Sequence, residues 1–164
     1  MQHLAEQQHP PVEVNLVRVI RAPAKGRFIC TVLSKHGWGC WSHWCGTHTE
    51  ACFCTPEQRE ESTTKVVHRW KGFLHVAADL TGRHFFLEIS SLAMRELMAS
   101  VPEKEDMRGL KLEVSREPEH SRGAIVLRIV GRCKNERALA PERSPRATLE
   151  KLWKTKLPSG PSAA

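Results

Sequence analysis

The chain reads as a mainly β domain: an OB-like five-stranded barrel with one short helix, an inserted Cys/His (zinc) loop and a C-terminal amphipathic helix. Three observations predict it. Several runs alternate apolar and polar residues, as strands with one buried face require. A single helical pattern sits before the last pair of strands, the element order of an OB-type barrel. Hydrophobic residues make up 40% of the 164 positions, enough for one core but not for two full domains.

In chain order, residues 1–11 read as a disordered lead-in ending at Pro10-Pro11. Val12 to Arg21 alternates well enough for a strand, with a phase slip at Leu16-Val17 that marks a bulge. Ala22 to Gly26 is a turn, and Arg27 to Leu33 is a second strand expected to pair with the first. The Cys/His insertion, residues 36–64, follows and ends in a polar, strandless stretch over 55–64.

Val66 to Ala77 is the third strand. It places Trp70, Gly72, Leu74 and Val76 on one face, and Arg69, Lys71, Phe73 and His75 on the other. Thr81-Gly82 signals a turn, after which His84 to Ile89 returns as a strand. Ser90 or Ser91 caps a short helix through Ala99 that offers Leu92, Met94, Leu97 and Met98 for burial. Arg108 to Arg116 alternates cleanly, residues 117–123 form a hairpin loop, and Ala124 to Cys133 is the last strand. The domain therefore spans 12–135. Residues 136–164 form a basic C-terminal helix and tail, with Ser144-Pro145 at the helix start and Leu149, Leu152, Trp153 and Leu157 as its apolar stripe.

The formal charge of +7 favours a polyanionic partner, because each neutralised phosphate releases counterions. No apolar run reaches the length of a membrane span, and the N-terminus lacks the apolar core of a signal peptide. A reducing cytoplasm is the expected compartment, where clustered cysteines are metal ligands more often than disulfides. A homo-oligomer is compatible with this composition.

Four of the six cysteines (Cys40, Cys45, Cys52, Cys54) crowd into residues 36–54 with His36, His43 and His48. Soft thiolates and imidazoles in one loop point to structural zinc, with Cys40, His43, Cys45, His48, Cys52 and Cys54 as candidate ligands. Cys30 and Cys133 lie in apolar runs and are expected to be buried as small hydrophobes. His48-Thr49-Glu50 matches the first half of the zinc-deaminase signature, but the later P-C-x-x-C is missing. No Ser/His/Asp set, phosphate loop or dinucleotide fingerprint is present, so a non-enzymatic role is expected.

Aromatics beside cations suit unpaired bases. Trp38, Trp41 and Trp44 in the loop, and Phe73 flanked by Arg69 and Lys71, are the candidate stacking positions; Trp70 is assigned to the core. Arg108, Lys111, Arg116, Arg128 and Arg132 form a basic stripe for the phosphates.

At His43-Trp44-Cys45-Gly46-Thr47-His48-Thr49-Glu50-Ala51-Cys52, then Arg69-Trp70-Lys71-Gly72-Phe73-Leu74 and Arg108-Gly109-Leu110-Lys111-Leu112, the chain resembles a group of small bacterial and mobile-element proteins. Their pattern is H-[YW]-x-G-x-x-T-x-x-C, further cysteines, R-W-x-G-[YF]-[LV] and a late R-G-x-x-[ILV]. More loosely, it resembles phage single-stranded-DNA-binding proteins that insert a His/Cys zinc loop into an OB barrel. The chain departs from the pattern after Cys52, where it has Cys54 and then no cysteine until Cys133. The expectation is a single-stranded nucleic-acid-binding module, for DNA ahead of RNA. The alternative is a protein–protein adaptor or inhibitor from a mobile element, with the C-terminal helix as a docking element for a protein partner.

Overall fold

The computed structural model describes residues 17–60, 67–154 and 156–157. The lead-in over 1–11, residues 12–16 of the Val12–Arg21 strand with Leu16 of its expected bulge, residues 61–64 of the insertion, the first residue of the Val66–Ala77 strand and the 159–164 tail lie outside the described residues. Within them the elements are β1 (Arg18–Arg21), β2 (Phe28–Val32), β3 (Trp38–Trp44), β4 (Thr49–Ala51), α1 (Pro56–Glu60), β5 (His68–Ala78), β6 (His84–Ser90), α2 (Ser91–Ser100), β7 (Leu110–Glu117), β8 (Ala124–Arg132) and α3 (Arg146–Trp153).

The protein is mainly β, but its strands form one open, mixed sheet of eight rather than a closed barrel of five. Two features account for the difference. The Cys/His insertion is not a loop: it folds into β3 and β4, and β3 pairs with the N-terminal half of β5. In addition, β1 runs parallel to β6 instead of pairing with β2, which lies between β5 and β7.

β5 is the spine. Its even-numbered residues face one core and its odd-numbered residues face the other, as the two-residue strand period dictates. The first core gathers Trp70, Leu74 and Val76 with Leu87, Ile89, Leu112 and Val114. It is closed by Ala93, Met94 and Leu97 of α2. Ser90 caps that helix, its hydroxyl accepting the Ala93 N–H at 3.2 Å. Leu92 and Met98, expected inside, are 52% and 55% exposed because they lie off the buried stripe. Gly39 faces Gly72 across β3 and β5. A Cβ at Gly39 would come within 2.0 Å of the Trp70 ring, so the indole can lie there only because the position is glycine.

The opposite face is covered at one end by α3, whose Leu149 and Trp153, followed by Leu157, pack on Val17, Cys40, Phe73 and Phe86. Each such side chain taken from water stabilises the fold by roughly 1.5–3 kcal/mol. The apolar stripe proposed as a docking element is thus occupied by the chain's own sheet, with Leu152 left outside. Cys30 is fully buried as expected, while Cys133 is half-buried.

His75 sits between these layers, 2% exposed, with its Nδ1 accepting the Arg143 N–H at 3.1 Å. Burial first, then the neighbouring His84, Arg143 and Arg108, push its pKa down to about 4. The unfolded chain, with a histidine pKa near 6.5, binds a proton that the native state refuses. His75 therefore favours the native state fully above about pH 6.5 and loses that contribution as pH falls toward about 4. His75→Gln is expected to flatten this part of the stability–pH curve in urea melts. A variant curve parallel to the wild type would contradict the assignment.

Candidate metal centre and cationic groove

Alternation along β3 divides the insertion. Trp38, Cys40, Ser42 and Trp44 point to the α3 face, while Trp41 and His43 point to the α2 face, opposite Trp70 and His68. Glu50 on β4 stands across from His43, and the Cys52 N–H bonds the Trp41 carbonyl at 2.8 Å. The result is a cluster: His43, Cys52 and His68 each bring one ligand atom within 4.8 Å of the others. Cys52 Sγ lies 3.2 Å from His68 Nδ1, and the two imidazoles meet edge-on with centroids 5.7 Å apart.

His43 Nε2 lies 3.3 Å from Glu50 Oε2, while its Nδ1 is buried with no hydrogen-bond partner. A carboxylate on one ring nitrogen with the other turned inward is the arrangement that orients a metal-ligating histidine. A buried polar nitrogen without a partner is otherwise costly. Cys54, two residues on, interacts with the Cys52 thiol closely enough to raise its own pKa, but it lies outside the 4.8 Å group. A divalent ion fits this mixed thiolate and imidazole set.

Of the six expected ligands the structure brings His43 and Cys52 together, with Cys54 adjacent. Cys40 is a correction: its thiol is 3% exposed in the α3-side core, and burial pushes its pKa up to about 12. One residue of parity puts it on the wrong side of the sheet. Cys45 and His48 form a separate group with Glu50 at the hairpin tip. There, hydrogen bonds from Thr47 and from the His48 backbone lower the Cys45 pKa. His68 was missed by sequence reasoning. It is distant from the cysteine cluster along the chain, and only the β3–β5 register places it beside His43.

The aromatic and basic positions divide in the same way. Phe73, expected at the surface, is 2% exposed, lying against Trp38 and Trp153 with ring centroids 6.0 and 6.1 Å away. It does share a face with Arg69 and Lys71, but α3 covers it. Trp38 is half-buried, and Trp41 lies under the Arg59 guanidinium at 4.3 Å. Trp44 alone of the three loop tryptophans is largely free, at 57% exposure.

Away from α3, a groove of about 710 Å³ draws on both faces of the sheet, with Trp70, Ile89 and Ile125 of the α2-side core among its lining. Arg21, Arg69, Lys71, Arg116 and Arg122 line it, with Glu88, the one carboxylate among the lining residues, pairing with both Arg21 and Lys71 at 3.5 and 3.4 Å. Arg69 and Lys71 continue into a second hollow of about 380 Å³ that runs to Ser42, Thr49 and Trp44. Cations thus run along a trough with an indole at its end. Arg116 is anchored there by the Ala22 and Gly123 carbonyls.

The rest of the expected basic stripe lies elsewhere, in internal contacts. Arg108 donates to the Leu33, Leu139 and Ala140 carbonyls. Lys111 pairs with Asp79, Arg128 with Glu117, and Arg132 with Glu105 and Glu136. Arg108 fastens the 139–140 segment to β2, a structural task, and exposed pairs such as Arg128–Glu117 contribute only about 0–1 kcal/mol. Among the described residues no helix is long and apolar enough to cross a membrane. Comparison of the chain with protein-family models, with curated proteins and with solved structures finds no match.

Proposed function

We propose that this protein is a non-enzymatic module that binds single-stranded nucleic acid along the Trp44–Arg69–Lys71–Arg122 trough, and that zinc held by His43, Cys52 and His68 braces the hairpin carrying Trp44. The observation that carries the reading is the trough itself. Five cations stand against one carboxylate, an excess of positive charge that remains after Glu88 is shared by Arg21 and Lys71, and an exposed indole at one end provides a stacking surface. Single strands fit better than duplex because the aromatic surface is useful only to an unpaired base. The reading rests on the trough and not on a closed barrel; the resemblance to zinc-loop single-stranded-DNA-binding proteins points the same way.

Fluorescence anisotropy of labelled oligodeoxythymidylate and oligouridylate, compared with a duplex, tests it. Four phosphate contacts, from Arg21, Arg69, Lys71 and Arg122, give a log–log salt slope of roughly −3 on a single strand. The double variant Arg69→Glu/Lys71→Glu is expected to flatten that slope by about 1.4 and weaken binding more than tenfold. Trp44→Ala is expected to cost about 1–3 kcal/mol, or about 5- to 150-fold in affinity. Absence of binding at low salt removes the proposal. It would leave a protein-binding role, for which exposed apolar side chains such as Leu92 and Met98 on α2 and Leu152 on α3 are available.

A further inference from the structure

The tip of the β3–β4 hairpin carries a second constellation that the buried cluster does not use. Cys45, His48 and Glu50 bring their ligand atoms within 4.8 Å of one another. His48 Nε2 lies 3.3 Å from Glu50 Oε1 and 3.9 Å from Cys45 Sγ. The edges of a tetrahedron drawn around zinc with ordinary Zn–N, Zn–O and Zn–S bonds are about 3.3–3.8 Å. The tip is therefore close to a coordination geometry without rearrangement of its backbone. Cys45 Sγ lies nearer to His48 Nδ1, at 3.4 Å, where the Thr47 hydroxyl also sits at 2.8 Å, while Nε2 faces Glu50; a turn of the imidazole brings one nitrogen to face both Cys45 and Glu50. Cys45 N–H also bonds the His48 carbonyl at 3.0 Å, so the backbone closes the turn that holds the three donors.

Glu50 joins this group to the buried one, with Oε1 at His48 Nε2 and Oε2 at His43 Nε2. One carboxylate would thus ligate at the tip while orienting a ligand of the buried site. The same three side chains resemble a nucleophile, base and orienting acid. However, Cys45 is exposed and lines neither part of the trough, so it has no cleft in which a substrate would meet it.

We infer that Cys45, His48 and Glu50 form a second, solvent-accessible site for a thiophilic divalent cation of the zinc class, separate from the buried site and linked to it through Glu50. Cys45 is exposed and leaves the ion open to solvent, so this site exchanges its ion readily, whereas the more enclosed site with His43 Nδ1 buried retains its own.

Zinc titration of the reduced full chain, followed by a weak chelator and metal analysis, tests this without any nucleic acid. The wild type is expected to bind two equivalents at saturation and to release one to the chelator. Cys45→Ser/His48→Ala is expected to bind one equivalent, and that one resists the chelator. Because both substituted side chains are at the surface of the hairpin tip, a circular dichroism spectrum like the wild type's confirms that the variant is folded. Zinc should also slow iodoacetamide alkylation of Cys45 in the wild type at least tenfold, mapped by mass spectrometry. One equivalent in the wild type, two in the double variant, or Cys45 alkylation indifferent to zinc would each overturn the inference.

Discussion

His68→Ala is expected to lower zinc affinity at the buried site by more than the 10- to 100-fold typical of losing an outer-shell partner, because it deletes a direct donor. Metal analysis and competition with a chromophoric chelator read the loss directly. Cys40→Ser provides the sharpest contrast. Its thiol faces Phe73 and Trp153 rather than His43, so metal content should be unchanged although the fold loses some stability. His36→Ala, an exposed histidine of the same segment, should be neutral in both respects. The sheet itself should survive His68→Ala, because β3 remains paired with β5 along Trp38–His43. Loss of metal on Cys40→Ser with retention on His68→Ala would reverse the assignment of faces on which the whole site depends.

Trp153→Ala is expected to be the most destabilising single substitution at the C-terminal end, by about 3–5 kcal/mol. The indole is 4% exposed, meets Phe73 edge-on and fills the space between Leu149, Leu157 and the sheet. A loss of that size is a large share of the 5–15 kcal/mol that usually separates folded from unfolded domains. It corresponds to a fall in melting temperature of roughly 6–20 °C. Detachment of α3 would bare Phe73 and Phe86, so increased binding of a hydrophobic dye should accompany the drop. An unchanged melting temperature would mean that α3 does not hold this face.

Much of the sheet was legible from the residues. The strands over 84–90, 110–117 and 124–132 and the helix capped by Ser90 follow from alternation, turn dipeptides and a capping hydroxyl, all local signals. The segment 36–54 read as a loop because its glycines, cysteines and histidines have weak strand preference. It becomes β3 and β4 because β5 offers an edge and because Gly39 and Gly72 make room for Trp70. The stacking role given to Phe73 failed for a related reason. Its face was assigned correctly, but a helix about eighty residues further along the chain covers it.

The sequence by itself determined which chemistry is available: thiols and imidazoles concentrated in one hairpin, an excess of cations, and the parity of each strand. Only the tertiary structure decided how that chemistry is grouped. Cross-strand register placed His68 beside Cys52 and sent Cys40 to the opposite core. The packing of α3 decided that Phe73 is covered while Trp44 stays exposed. Strand parity and caps arise from neighbours a few residues apart, which a linear reading can see. Register and coverage arise from contacts between distant segments, and those form only when the whole sheet closes its two cores.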